Sequence, residues 1–194
     1  MNTIVQEVAR IVEAACAKDT NVFGYGIWTH HITQVVRQGW HLAEQFQADP
    51  EIVEIAALLH DYAGIKDERL IPDHHLHGLI EAERILSQLG YPNEKIEAVK
   101  HCIAAHRASI PGEKNSVEAE CLANADAMAH LEQIPSILYY VFVQRGMSID
   151  EGTLWVRHKL ERTWNKLNPQ IQEMVREKYE AALKILSGPE PNFE

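Results

Sequence analysis

The sequence predicts an all-α protein that forms a single domain over residues 1–194, and three observations support this fold class. The chain has 194 residues, which is enough for one domain with a substantial core but crowded for two. Apolar residues recur every three or four positions along most of the chain, and no segment shows the alternation of a half-buried strand. Glycine and proline number only 10 and 8, fewer than a turn-rich all-β chain needs.

Helix boundaries in the first half of the chain follow from breakers and capping residues. Gly24 and Gly26 interrupt the helical pattern, and Asp49 followed by Pro50 has the N-cap and first-turn chemistry of a new helix. Gly64 is expected to end that helix. The helices predicted here span residues 3–17, 28–47, 51–63, 77–89 and 93–107, with a polar loop over 64–75.

In the second half of the chain, capping signals start the predicted helices. Asn115 with Glu118, and Ser148 with Glu151, have the three-residue spacing of a capping box. Asn168 precedes a proline and starts the last helix. These signals predict one helix that ends near residue 133 and three more between 135 and 188.

Charge and cysteine content exclude several functional classes. The 28 acidic and 18 basic side chains give −10 at pH 7, a field that repels nucleic acid and anionic lipid. A phosphate ligand would therefore need local cations or a metal ion. The three cysteines are an odd number without close pairing, and no apolar stretch reaches the length of a membrane span, so we expect a cytoplasmic protein.

Helical phase singles out some of the 11 histidines as inward-facing. His31 shares a helix face with Val35 and Leu42 and so points toward the apolar stripe. His60 and Asp61 close the apolar segment IVEIAALLHD, where burying an imidazole and a carboxylate is costly without a partner such as a divalent cation. The alternative is a plain helix end, at which His60 interacts with the helix dipole and Asp61 faces water.

Three further residues fit an inward position. His106 continues the apolar face of its helix, and Asp126 lies among small apolar residues in LANADAMAHL. The apolar neighbours Leu76 and Ile80 suggest that His77 points inward as well. Imidazole and carboxylate ligands together suit Fe, Mn, Zn, Ni or Co, with Mg also allowed, and a helical bundle builds such a site from several helices.

The order of these residues resembles the HD-domain superfamily of metal-dependent phosphohydrolases. The family pattern is a His, a distant His-Asp dyad and a distant Asp, all on helices of one domain. The residues of this chain that match it are His31 in WTHHITQVV, His60 and Asp61 in AALLHDYAG, and Asp126 in ANADAMAHL. The resemblance implies a bundle with a metal site in its core over residues 25–135 and a C-terminal helical extension over 136–188.

Some members of that superfamily carry two more histidines, which complete a second metal site. His77 and His106 match their order, and Asp61 would then be the carboxylate that bridges two ions. His74 and His75 are neighbouring alternatives to His77. The resemblance therefore implies one or two divalent ions.

The activity that the resemblance implies is hydrolysis of a phosphate ester, of a small molecule or a nucleotide, by attack of metal-bound hydroxide. Asp61 would act in catalysis as a metal ligand, and Lys66 and Arg107 would contact the phosphate. Taken singly, either of these cations is more often a solvated surface charge. The expected partner is thus a small phosphate compound, not a membrane or nucleic acid, and the oligomeric state is left open.

Two other functions fit the same ligands. One is a di-iron oxygenase on this helical scaffold, which cleaves a C–C or C–P bond. The other is a non-catalytic metal-binding regulatory domain. Oxygen uptake with bound iron would indicate the first, and the absence of turnover across a broad phosphoester panel would indicate the second.

Overall fold

Helices form every regular element in residues 3–107 and 116–187, which are the residues that the structure, a computed structural model, describes. The α-helices are α1 (Thr3–Cys16), α2 (Thr33–Phe46), α3 (Pro50–Leu59), α4 (Tyr62–Lys66), α5 (His74–Gln88), α6 (Asn93–Ala105), α7 (Val117–Glu132), α8 (Ile134–Tyr139), α9 (Ile149–Lys166) and α10 (Pro169–Leu186). Two π-helical turns, Trp28–Ile32 and Tyr140–Gln144, and a 3-10 segment, Glu68–Asp73, lie between them. The predicted all-α fold is confirmed.

Helix α7 lies at the centre of the bundle and is buried on nearly all sides. Its alanines, among them Ala123, Ala125 and Ala129, are fully buried and let neighbouring helices approach closely. Helices α2, α3, α6 and α9 pack around it. On α2, a Cβ added to Gly39 would lie 3.0 Å from Val53 Cγ1, so the contact with α3 leaves little room for a side chain there.

Most capping predictions are confirmed. The Asp49 carboxylate accepts hydrogen bonds from the N–H groups of the first turn of α3. Ser148 and Glu151 form the capping box of α9, and Asn168 caps α10 through Ile171 N–H. The cap of α7 is Ser116, and the predicted capping residue Asn115 lies outside the described residues.

The prediction for residues 51–75 is wrong in two respects. Helix α3 ends at Leu59, not at residue 63, and Gly64 lies buried inside the short helix α4. The segment predicted as a polar loop is mostly helical, because buried Tyr62 and Ile65 drive another turn and Asp67 caps the 3-10 segment that follows. As a result α5 begins at residue 74, three residues earlier than predicted.

A polar corner joins the C-terminal helices to α7. Asn168 N–H donates to Asn124 Oδ1 at 3.0 Å, and Asn168 Nδ2 donates to Glu120 Oε1 at 2.7 Å. Asn124 is fully buried and donates in turn to the carbonyl of Glu120. This corner places the end of α9 beside the middle of α7. None of the described helices is long and apolar enough to cross a bilayer.

Candidate metal centre

Three potential ligands from different parts of the chain meet beside α7. His31 lies on the π-helical turn before α2, His60 directly follows α3, and Asp126 lies on α7. His31 Nε2 is 3.2 Å from His60 Nε2 and 3.5 Å from Asp126 Oδ1, and His60 Nε2 is 3.9 Å from that oxygen. Ligand atoms of the three lie within 4.8 Å of one another, close enough to surround one ion.

A second triad lies next to the first. His74 Nε2 is 3.3 Å from Asp61 Oδ1 and 3.2 Å from His106 Nε2, and His106 Nε2 is 3.9 Å from Asp61 Oδ1. The other carboxylate oxygen, Asp61 Oδ2, is 3.3 Å from both His31 Nε2 and His60 Nε2. Asp61 therefore offers one oxygen to each triad, as a bridging carboxylate would. We call these six residues the ligand layer.

Backbone carbonyls orient three of the four imidazoles. The Nδ1 atoms of His60, His74 and His106 lie 2.8, 2.8 and 2.5 Å from the carbonyl oxygens three residues earlier. A carbonyl only accepts hydrogen bonds, so each Nδ1 carries a proton, and the neutral form of each ring has its lone pair at Nε2, which faces the other ligands. Metal-binding histidines are oriented in this way.

The chemistry of the ligand layer fits a cation. Its inward atoms are imidazole Nε2 lone pairs and carboxylate oxygens at 3.2–3.9 Å, all of which accept and none of which, in the neutral rings, donates. Acceptors packed in this way repel one another unless protons or a metal ion lie between them. Nitrogen and oxygen ligands are those of first-row divalent ions.

The electrostatics of the ligand layer keep both carboxylates ionised. Burial would raise the pKa values of Asp61 and Asp126, but the charges on His60 and Lys166, respectively, hold them well below their usual range. Burial would lower the pKa of His60, but Asp61 raises it to about 9. Burial lowers the pKa of His106 to about 3, with the charge of His60 acting in the same direction. Two anionic carboxylates are therefore available to a cation at neutral pH.

Of the six ligands proposed from the sequence, the structure brings five together and leaves His77 outside both triads. His74 takes the sixth place, because α5 begins there and its ring turns back onto the carbonyl of Ile71. His77 lies one turn further along α5, about 4.5 Å along the helix axis. The apolar neighbours that suggested an inward position for His77 are themselves exposed, with Leu76 at 53% and Ile80 at 65%, and they do not indicate burial there.

The two cations proposed from the sequence have different surroundings. Lys66 Nζ lies 2.6 Å from Glu81 Oε1 and is not part of the cavity wall described next. Arg107 does line that cavity, and its Nη1 donates to the carbonyl of Pro72 and lies 3.2 Å from His75 Nδ1.

A cavity of about 570 Å³ opens over the ligand layer. One side is aromatic: the rings of Phe23 and Tyr140 are 5.5 Å apart, and those of Tyr140 and Trp155 are 6.2 Å apart. The cavity is also lined by basic residues of α9, which we call the α9 wall: Lys159, Arg162 and Lys166. Their spacing of three and four residues on a predicted helix is the sequence signal that could have revealed them.

Two further groups contact Asp126. Lys166 Nζ lies 2.5 Å from Asp126 Oδ2, with only 4% of the lysine side chain exposed. His130 Nδ1 is 3.6 Å from Asp126 Oδ1, and its ring stacks on His31 at 4.8 Å between centroids. Neither residue was predicted from the sequence. Together they fix the carboxylate that faces His31 and His60.

Comparison with known proteins decides the family. The HD domain model matches residues 28–131, more than half of the chain, and this range contains the entire ligand layer. This chain belongs to the HD domain family. The match confirms the resemblance found from the motif residues.

Relatives of this HD protein share its length and fold. It is 25% identical over 167 residues to YpgQ, an uncharacterised protein of Bacillus subtilis (strain 168). The matched region covers 81% of this chain and 80% of YpgQ. The crystal structure of YpgQ in complex with ADP has a TM-score of 0.67 at 21% identity and covers 94% of this chain and 93% of that one. A predicted HD superfamily hydrolase from an uncultured Thermotogales bacterium has a TM-score of 0.62 at 19% identity, over 93% and 88% of the two chains.

Proposed function

We propose that this HD protein is a divalent-metal-dependent phosphohydrolase that cleaves a phosphate ester of a small molecule, with nucleotides as the favoured substrates. The observation that carries the proposal is the pair of triads that share Asp61 at the base of a cavity. The basic side of that cavity provides the local positive charge that a chain of net charge −10 needs to hold a phosphate.

The residues of the ligand layer divide the work of holding one or two ions. His31, His60 and Asp126 would hold one, His74 and His106 would hold the other, and Asp61 would contact both. A bound divalent ion of this kind supplies an activated water at neutral pH and neutralises charge on the phosphoryl oxygens. The protein keeps the ligands in place through the backbone carbonyls behind three of the rings and through Lys166 behind Asp126.

Two observations favour a nucleotide within the class of phosphate esters. YpgQ, whose fold this chain shares, was crystallised with ADP. In this chain Phe23, Tyr140 and Trp155 line the same cavity as the α9 wall, and aromatic rings stack well on a nucleobase.

The test is a hydrolysis assay of the protein with added Mn²⁺ against nucleotides, sugar phosphates and a generic aryl phosphate. We expect phosphate or pyrophosphate release from at least one nucleotide, lost on chelation and lost in Asp61→Ala, whose circular dichroism stays helical. Asp19→Ala removes an exposed carboxylate outside the cavity and is the matched control. Unchanged turnover in Asp61→Ala, or no turnover with any divalent ion, would reject the proposal.

The shared carboxylate also favours a second candidate, a di-iron oxygenase. Two triads bridged by Asp61 form a site for a pair of ions, which that chemistry needs as well. Iron analysis of the purified protein, with oxygen uptake measured beside phosphate release, separates the two activities. Oxygen consumption without phosphate release would favour the oxygenase, and neither activity would favour a regulatory metal-binding domain.

We also propose a cytoplasmic location. Cys16, Cys102 and Cys121 are buried and unpaired, which suits a reducing compartment. Fractionation of cells that express the tagged protein tests this, and recovery from an oxidising compartment would contradict it.

A further inference from the structure

The cations of the α9 wall have unequal partners. Along α9, Arg162 follows Lys159 by three residues and Lys166 follows it by seven. The three cations therefore share one face of the helix, and all of them line the cavity. Lys166 is committed to Asp126 at 2.5 Å and is nearly inaccessible to solvent. The charge of Lys166 is therefore balanced by the ligand layer. Arg162 and Lys159 lie on the same face, one and two turns closer to the N-terminus of α9.

Lys159 is a partly buried cation without a close anionic partner in the part of the chain that the structure describes. No carboxylate there lies within 4.0 Å of its Nζ atom, whereas most other described lysines, including Lys66, Lys95 and Lys100, form such ion pairs. Asp126 and Asp61 act on it only from a greater distance, and burial lowers its pKa. A buried charge without a partner is costly, so a ligand that supplies the missing anion would be bound strongly.

Arg162 lies one turn from Lys159 on the cavity side of α9 and is more exposed. Among residues 3–107 and 116–187 it too has no carboxylate within 4.0 Å, unlike Arg157 on the same helix, whose Nε lies 3.1 Å from Glu161 Oε1. A guanidinium binds two oxygens of one phosphate at once, and an ammonium adds a third contact.

The cations predicted from the sequence are less available. The ammonium of Lys66 is paired with Glu81 outside the cavity. Arg107 lines the cavity, but its guanidinium is tied to the carbonyl of Pro72 and to the His75 ring. The charge needed to hold a phosphate must then come chiefly from α9.

We propose that Lys159 and Arg162 bind the phosphate group of the substrate and hold it against the ligand layer. This inference rests on the proposed function and names the residues that would recognise its substrate. Both lie outside the segment that matches the HD domain, in the C-terminal helices. Phosphate recognition in this chain would therefore be a property of the extension and not of the metal-binding core.

The test measures binding of inorganic phosphate to the purified protein by calorimetry, together with KM and kcat for the best substrate of the hydrolysis panel. Lys159→Met keeps the apolar stem and removes the charge, Lys159→Arg restores a cation, and Arg157→Met is the matched control on the same helix. We expect phosphate affinity to fall about tenfold in Lys159→Met, with KM raised more than kcat is lowered. Lys159→Arg recovers most of the affinity, and Arg157→Met stays at the wild-type value.

Metal content, measured by elemental analysis of each variant, separates substrate binding from support of the metal site. We expect equal metal content in the wild type, Lys159→Met, Lys159→Arg and Arg157→Met. Wild-type phosphate affinity in Lys159→Met would overturn the inference, and so would a loss of metal in that variant. If the wild type hydrolyses no phosphate ester, the proposed function fails, while the phosphate titration still decides whether Lys159 binds an anion.

Discussion

The ligand layer and the α9 wall line one cavity and are built in opposite ways. The ligand layer consists of groups that accept hydrogen bonds or metal ions, and backbone carbonyls three residues away hold three of its rings in place. The α9 wall consists of donors, and the polar corner at Asn168 places its helix beside α7. The orientation of these three rings is therefore set locally, while the position of the cations depends on how α9 packs against α7.

This difference predicts which mutations remove function and which only weaken it. A change in the ligand layer should act on metal content. A change in the α9 wall should weaken substrate binding or lower the stability of the metal-free protein. Lys166 is the informative exception, because it belongs to the α9 wall by position and serves the ligand layer by contact.

The largest expected effect separates two histidines of α5. His74→Ala removes a ligand that faces Asp61 and His106, so we expect loss of one bound metal equivalent and of hydrolysis. His77→Ala should keep both, because the structure places that side chain outside the triads. Elemental analysis and the hydrolysis assay check the pair. Metal loss in His77→Ala but not in His74→Ala would restore the assignment made from the sequence.

The next effect concerns the charge balance at Asp126. Lys166→Met leaves that carboxylate buried without its ammonium partner. We therefore expect the free energy of unfolding to drop by about 3 kcal/mol when a chelator keeps the protein free of metal. Added Mn²⁺ should recover part of this loss, because a cation in the first triad replaces the missing charge. Urea unfolding with and without metal measures both values.

Lys178→Met is the matched control for that experiment. Its Nζ lies 2.7 Å from Glu132 Oε1, but the lysine side chain is 48% exposed. A surface pair of this kind contributes at most about 1 kcal/mol. Equal destabilisation of Lys166→Met in chelator and in Mn²⁺ would contradict the link between the α9 wall and the ligand layer.

A smaller effect is expected on the aromatic side of the cavity. Trp155→Leu removes a ring face, so KM for a nucleotide should rise about tenfold while KM for a simple aryl phosphate stays nearly constant. Steady-state kinetics on the two substrates give the ratio. A parallel change in both would show that the ring supports packing and not base recognition.

The smallest expected effect lies in the capping of α9. Ser148→Ala breaks the capping box at the end of the helix remote from Lys166, and we expect about 1 kcal/mol less stability with metal content unchanged. Thermal unfolding and elemental analysis check this. Loss of metal in this variant would mean that the ligand layer depends on α9 far more than the contacts imply.

The sequence predicted what depends on local patterns. Helical periodicity gave the fold class, and Asp49, Ser148 and Asn168 cap their helices as predicted, because capping involves residues only two or three positions apart. Five residues of the ligand layer were proposed from helical phase and family order, and the structure brings them together.

The errors arose where the outcome depends on tertiary packing. Whether His74 or His77 faces Asp61 is set by where α5 begins, and the 3-10 segment that moves this start carries no clear signal in the sequence. The role proposed for Lys66 as a phosphate ligand stays a prediction, and its ion pair with Glu81, 15 residues away along the chain, could not be foreseen from the local pattern. Lys159 and Lys166 have the pattern of an ordinary solvated helix face until α9 is packed against α7.

The central claim is that six residues from separate helices surround metal ions that share Asp61. The most direct test is an anomalous difference map from crystals grown with Mn²⁺. We predict one peak among His31, His60 and Asp126 and a second among Asp61, His74 and His106. Manganese bound by other residues, or no peak at the ligand layer, would contradict the account.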